Sequence, residues 1–162
     1  MVTLRPARPD EAERVAEVWH DAWHDGHDGR VPEVLLPERD PAYFLARSRE
    51  LIDATTVAQR EDGAVLGVVI VRDDELQQLM VTADARGTGV GGLLIAEAER
   101  QVAARGHAEI WLAVVPGNDT ARRFYAGRGW VDRGVEDYPA RTLAGTVVPS
   151  PVHRYVKALT GS

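Results

Sequence analysis

Three stretches of the chain carry residue types at spacings that chemistry can use. Residues 85–94, ARGTGVGGLL, place four glycines within six positions behind an arginine. Glycines this dense let backbone approach a ligand and let successive N–H groups converge on an anion. Residues 118–130, NDTARRFYAGRGW, carry an asparagine, a Phe-Tyr pair and a closing Gly-Trp. Residues 19–30, WHDAWHDGHDGR, place His20 and His24 at i and i+4 with His27 close behind, a spacing that can chelate zinc. Ahead of the glycines, Asp73-Asp74-Glu75 opens an apolar run and offers carboxylates for proton transfer.

Glycine loops hold phosphates in more than one setting. A P-loop closes its glycines with lysine and then Ser or Thr; here that end reads Gly92-Leu93-Leu94, and the pattern fails. Gly87-x-Gly89-x-x-Gly92 matches the bare dinucleotide fingerprint, which belongs to a first βαβ unit with an acidic residue on a following strand. This match lies mid-chain behind strands that read as antiparallel, and no second nucleotide-binding half follows. The third setting is a strand that leads through glycines into a helix N-terminus, whose unpaired N–H groups and dipole favour an anion. Arg86 adds a formal positive charge at the loop's start. A tight strand-to-helix turn alone accounts for one or two of these glycines, not for Gly87, Gly89, Gly91 and Gly92 together.

The elements that must position these residues read as one mixed α/β domain over 1–162. Residues 3–5 form a short strand before Pro6. Pro9-Asp10-Glu11 starts a helix with acidic residues in its first turn. Ala12, Val15, Ala16, Trp19, Ala22 and Trp23 give it one apolar face. A His-Asp-Gly ends it, with His27 past the end. Residues 41–54 form a second helix that buries Phe44, Leu51 and Ile52. Residues 55–59 and 64–71 pair as a hairpin about Glu61-Asp62-Gly63, and 76–81 is a third strand. A long helix runs from Gly91, buries Leu94, Ile95, Ala98 and Val102, and stops at Gly106. Residues 110–115 are almost wholly apolar, which suits a strand buried on both faces. Residues 118–128 form a short helix and 130–135 a strand. Pro139, Pro149 and Pro151 bracket an irregular segment before a last strand at 153–159.

The chain has 162 residues, 44% of them hydrophobic and 27% charged, with a net charge of −6. This is an ordinary globular composition at single-domain length. The acidic balance argues against a nucleic-acid binder that relies on a broad basic face. No apolar run approaches the ~20 residues that span a bilayer, so no membrane partner is expected. The chain has no cysteine, which removes disulfides, zinc–thiolate sites and a cysteine nucleophile. Together with the lack of an export signal, that points to the cytoplasm.

Arg86-x-x-Gly89-x-Gly91, between a strand ending Leu79-Met80-Val81 and a long amphipathic helix, resembles the pyrophosphate-binding signature of the GCN5-related N-acetyltransferase (GNAT) superfamily. Asn118-x-x-Ala121-x-x-Phe124-Tyr125-x-x-x-Gly129-Trp130 resembles that family's second signature, in the right order and with one helix and one strand between the blocks. The resemblance covers residues 75–131. It implies the GNAT fold, a mixed and mostly antiparallel sheet flanked by about four helices. It implies direct transfer of an acetyl group from acetyl-CoA to a primary amine, without a covalent enzyme intermediate and without a metal. It places coenzyme A along Met80, Val81, Arg86, Gly87, Thr88, Gly89, Val90, Gly91, Gly92, Asn118 and Tyr125, with a backbone N–H near Met80 and Val81 polarising the thioester carbonyl.

Tyr125 matches the tyrosine that often serves the family as general acid. A phenol of reference pKa about 10 keeps its proton at neutral pH; the alternative is a packing role like that of Phe124. Glu75 is the candidate general base, or part of a solvated turn. Asn118 caps the short helix, contacts the cofactor's arm, or does both. Arg122 and Arg123 either reach the 3′-phosphate or lie on exposed helix surface.

In this family the first helices and the loop joining them form one wall of the acceptor pocket. Trp23, His24, Asp25 and Asp28 occupy that place, where carboxylates favour a cationic amine; an ordinary solvated helix end is the alternative. His20 tends toward the flank of the apolar face and His27 lies past the helix end, which weighs against a metal site. Three functions stay open: an N-acetyltransferase for a small-molecule amine, the same chemistry on a protein or peptide N-terminus or lysine, and a non-catalytic acyl-CoA sensor. The Tyr125 position weighs against the sensor. A homodimer through the C-terminal strand also fits the family.

Overall fold

The computed structural model describes residues 1–27, 41–141 and 146–159, with backbone alone at 24–27 and 141. The strands are β1 (Val2–Pro6), β2 (Thr55–Arg60), β3 (Val65–Arg72), β4 (Glu75–Val81), β5 (Glu109–Val114), β6 (Val131–Arg141) and β7 (Val147–Ala158). The α-helices among the described residues are α1 (Ala12–His27), α2 (Pro41–Glu50), α3 (Val90–Ala104) and α4 (Asp119–Ala126). The strands form a single sheet in the order β1-β2-β3-β4-β5-β7-β6. Every pairing is antiparallel except that of β4 with β5. The fold is therefore the mixed, mostly antiparallel α/β arrangement expected. No helix among the described residues is long and apolar enough to cross a membrane.

Two cores lie on opposite faces of the sheet. Val15, Trp19 and Trp23 of α1 and Phe44 of α2 pack with Val68 and Ile70 of β3. Leu94, Ile95, Ala98 and Val102 of α3 pack with Leu66, Val69 and Val71 of the same strand. Alternation along a strand sends successive side chains to opposite faces, so β3 is the strand buried on both. That role was expected for β5. There, Ile110, Leu112 and Val114 are buried while Trp111 and Ala113 are half-buried. The reason is that, among the described residues, α1 packs over β3 and β4 rather than over β5.

Other boundaries differ from expectation. α1 continues to His27 and carries Gly26 inside it, because an interior glycine costs only about 1 kcal/mol relative to alanine. α2 stops at Glu50, and a 3₁₀ turn at Ile52–Ala54 follows. The segment expected to be irregular around Pro139, Pro149 and Pro151 is paired strand. β6 and β7 pair from Val131↔Val156 to Arg141↔Val147, with one register shift between Asp132 and Val135. Pro139 stands opposite Pro149, and Pro151 opposite Asp137. Pairs two apart are of one kind, and two facing prolines can only be the non-hydrogen-bonded kind. β6 is the sheet edge, and β5 reaches only as far as His153 of β7. The missing N–H groups thus interrupt no ladder.

β1 is clamped to the start of α1. Two nitrogens of the Arg5 guanidinium donate to the two Glu11 carboxylate oxygens, each at 2.8 Å, and Arg8 N–H donates to Glu11 at 2.8 Å. The Arg5 hydrogen bonds, opposed by desolvation, pull the Glu11 carboxyl from 4.5 down to about 2. A carboxyl whose folded pKa lies below its unfolded value stabilises the fold above that unfolded value and loses the contribution as pH falls. The shift corresponds to about 3 kcal/mol at most. Glu11→Gln should therefore lower stability at pH 7 by about 1–3 kcal/mol in urea unfolding. The gap to wild type should narrow as pH falls from about 5 toward about 3; a gap constant with pH would assign the effect to packing instead.

Candidate active site

β4 and β5 share one register pair, Glu75↔Trp111, and part from there. On its other side β4 carries a bulge: Ile70 pairs with Gln78 and Val71 with Leu76, so Gln77 is an extra residue. A cavity of about 120 Å³ opens between the two strands, lined by residues 76–80 of β4, residues 112–115 at the end of β5, and Asn118, Ala121 and Tyr125 of the α4 region. Among the described residues β4 has no partner strand along this edge beyond Glu75, which leaves backbone groups there for an extended ligand. Met80 lines the cavity; Val81 is half-buried and lies outside the lining.

The glycine loop joins β4 to α3 at the mouth of this opening. Thr82 anchors it, with N–H donating to Leu66 C=O at 2.9 Å. A 3₁₀ turn, Ala83–Ala85, follows, and both the N–H and the hydroxyl of Thr88 bond the Ala85 carbonyl. Gly87 and Gly89 have φ of +78° and +91°, which L side chains rarely adopt, and open space lies beyond both. Gly89 is the N-cap of α3, with no side-chain cap and no acidic residue in the first turn. The N–H groups of Val90, Gly91 and Gly92 therefore lack intrahelical acceptors at the positive end of the dipole. Arg86 is exposed on the same loop, whereas the Val90 side chain is buried in the α3 core. This geometry is able to cradle an anion.

Tyr125 is buried against Phe124, Trp130 and Tyr155, with ring centroids 5.2, 5.7 and 6.3 Å away. Burial pushes its phenol above the usual range, so it holds its proton at all physiological pH. Asn118 Oδ1 accepts the Ala121 N–H at 3.3 Å, the N-cap bond, while the residue also lines the opening. Arg122 is engaged elsewhere: it donates to Tyr155 Oη at 3.1 Å and to Asp132 at 3.2 Å. Arg123 is exposed helix surface.

A larger cavity, about 370 Å³, adjoins the first and shares Trp23, Gln77, Gln78, Ala113 and Val115 with it. Trp19 and Trp23 of α1 with Tyr43 and Phe44 of α2 form an aromatic wall, the Phe44 ring lying 5.1–6.1 Å from the other three. The β6–β7 arm forms another, through Tyr138, Pro139, Val147, Ser150 and Val152. Glu75 faces this cavity. It accepts the Tyr138 hydroxyl at 2.7 Å and the Gln77 amide at 3.3 Å. Burial first, and the Glu75 carboxylate second, push the Tyr138 phenol up, so it remains a donor. Glu75 and Tyr125 thus line adjoining cavities and not the same one. Trp23 lines both. His24 lies on α1 with its side chain outside the described residues, and Asp28 lies outside them altogether. His20 packs edge-on against Phe44, and among the described residues no group of three metal-ligating side chains forms.

The sequence reading missed Tyr138, Gln77, Gln78, Tyr43 and Arg47 as lining residues. Gln77-Gln78 did carry a signal: two adjacent polar residues break the alternation of ELQQLMV, as a bulge would. Tyr138 carried none, being 63 positions from the carboxylate it meets.

A family model for the acetyltransferase (GNAT) family matches residues 12–130. No curated protein matches the chain in sequence. Among solved structures, it is similar to a GCN5-related N-acetyltransferase from Rhodopseudomonas palustris, at 24% identity, TM-score 0.73, covering 97% of this chain and 95% of that one. It is similar to Ard1 from Thermoplasma volcanium, at 19% identity, TM-score 0.69, covering 98% of each. A phosphinothricin acetyltransferase from Sinorhizobium meliloti, solved with acetyl-CoA, is 17% identical with TM-score 0.70, covering 98% of this chain and 88% of that one. These likenesses show the fold. The family match spans most of the chain and takes in the parted strands, the glycine loop and α4, and the chain belongs to the acetyltransferase (GNAT) family.

Proposed function

We propose that this acetyltransferase moves an acetyl group from acetyl-CoA to the primary amine of a small molecule. The observation that carries the acceptor class is the 370 Å³ cavity, walled by aromatic side chains of α1 and α2 and by the β6–β7 arm. That size suits a small ligand. It opens onto the gap between β4 and β5 through Gln77, Gln78 and Trp23, so an amine seated there meets whatever lies along β4.

The chain's features fit acetyl-CoA. The uncapped N-terminus of α3, with Gly87, Gly89 and Arg86, suits a pyrophosphate. The free edge of β4 suits an amide-bearing arm. Bound acetyl-CoA would supply the activated acetyl group. A backbone N–H of β4 near Met80 would polarise its carbonyl. Tyr125 would hold a proton at Oη for the departing sulfur, in keeping with a phenol that burial keeps neutral. Glu75 would accept the proton of the incoming ammonium, directly or through water, with Tyr138 and Gln77 fixing its carboxylate. Trp23, and His24 and Asp28 next to it in the chain, would form the acceptor side of the site.

Free thiol release from acetyl-CoA with a panel of amines tests this reading, and the protein contributes no thiol background because it has no cysteine. Release with polyamines, aminoglycosides or amino acids is expected. Release with peptides only would replace the small-molecule reading, and tight coenzyme A binding without turnover would mark a sensor. Tyr125→Phe should lower kcat by about 100-fold while leaving acetyl-CoA affinity nearly unchanged; equal kcat would reduce Tyr125 to packing. Glu75→Gln should lower kcat/KM by roughly 100-fold while leaving acetyl-CoA affinity nearly unchanged. A lowered rate accompanied by an equal loss of acetyl-CoA affinity or of thermal stability would make Glu75 a structural support.

A further inference from the structure

We propose that Arg128 binds the pyrophosphate of coenzyme A, and that position 92 is glycine so that Arg128 can reach the first turn of α3. This rests on the acetyl-CoA reading above. The Arg128 guanidinium lies over the Phe124 ring, 4.7 Å from its centroid. It also lies against Gly92: a Cβ there would sit 2.6 Å from one terminal nitrogen and 3.1 Å from Cζ and the other. The Phe124 ring stands 3.4 Å from where a Gly91 Cβ would be. The C-terminal end of α4 thus carries a stacked cation onto the N-terminal turn of α3.

Two features of that contact call for an anion. A helix N-terminus is the positive end of the dipole and repels a guanidinium. Yet the first turn of α3 holds no acidic residue, and among the described residues no carboxylate pairs with Arg128. An anion between Arg128 and the α3 N–H groups would turn this repulsion into a chelate, with bidentate phosphate geometry available to arginine. Gly92 makes the same point from the other side. Its φ is not positive, so no turn requires glycine there, and alanine is the better residue inside a helix. The atoms that a methyl would displace are the end of the Arg128 side chain, which can swing away without disturbing the core.

Calorimetric titration of acetyl-CoA and of dephospho-CoA, which keeps the pyrophosphate and lacks the 3′-phosphate, tests the assignment on wild type, Arg128→Ala, Gly92→Ala and the double variant. Arg128→Ala should weaken both ligands by roughly tenfold or more. Gly92→Ala should melt no lower than wild type and still weaken binding to a similar degree. The double variant should be no weaker than either single one. Wild-type failure to bind either ligand would remove the acetyl-CoA reading itself. Wild-type binding with Arg128→Ala unchanged would remove the Arg128 assignment alone. A loss confined to acetyl-CoA would overturn the pyrophosphate contact in favour of the 3′-phosphate. Additive losses in the double variant would overturn the link between Gly92 and Arg128.

Discussion

β4 and β5 run parallel and touch at a single register pair, Glu75 with Trp111. Parallel neighbours need a crossover, here α3, and the crossover must return over one face of the sheet. Its N-terminus therefore starts where β4 ends, beside the opening that the parting strands create. An unpaired strand edge, a helix N-terminus with free N–H groups and a cavity are brought to one place by that one topological fact. Ligands gather at the carboxyl ends of parallel strands for this reason. The bulge at Gln77 adds to it by turning two successive residues of β4 toward the same opening.

An opening in a sheet needs a fixed apex, and the Asp73-Asp74 turn supplies it. Asp74 holds Trp111 twice, its carbonyl accepting the backbone N–H at 3.2 Å and its carboxylate the indole N–H at 3.1 Å. Asp73 sits at φ +52°, an uncommon conformation for a non-glycine residue. His107 lies 2.8 Å from its carboxylate, and Arg105 donates to its carbonyl at 2.9 Å. On the far side Arg154 stacks over Trp111 at 4.0 Å. The turn is thus tied to β5 and to the α3–β5 connection, although the Asp73 side chain itself is exposed. It also sets the direction of β4 from Glu75 onward, so the base candidate and the wedge share one anchor.

Local chemistry was legible in the sequence, and non-local chemistry was not. Gly87 and Gly89 announce their backbone conformation, Asn118 its cap, and the apolar spacing of α1 and α3 their buried faces. The order of strands and helices followed from the same signals. β5 was misjudged because an apolar run reports side-chain chemistry, while coverage of its second face depends on how far α1 reaches. The prolines of β6 and β7 were misjudged because proline breaks a ladder only where its N–H is needed, and strand pairing decides that. Tyr138 was invisible because it meets Glu75 across the β6–β7 arm, and nothing near position 138 encodes that arm's path.

α4 shows how a short element can still be placed with the accuracy that catalysis needs. Eight residues are too few for a helix to be stable on its own. Its placement must come from outside: the Asn118 cap at one end, the packed rings of Phe124, Tyr125 and Trp130, and Arg122 tied to Tyr155 and Asp132. Asp132 in turn lies 3.0 Å from His153 Nδ1, so the tie reaches from α4 through β6 to β7. The arginine that sequence alone could assign to a phosphate is engaged in this support. The support lets Tyr125 face the gap between β4 and β5 from a fixed distance, while the end of the same helix projects Arg128 onto α3. One short helix thereby carries Tyr125 and, just past its end, the Arg128 that meets α3, and any shift of α4 moves both side chains together.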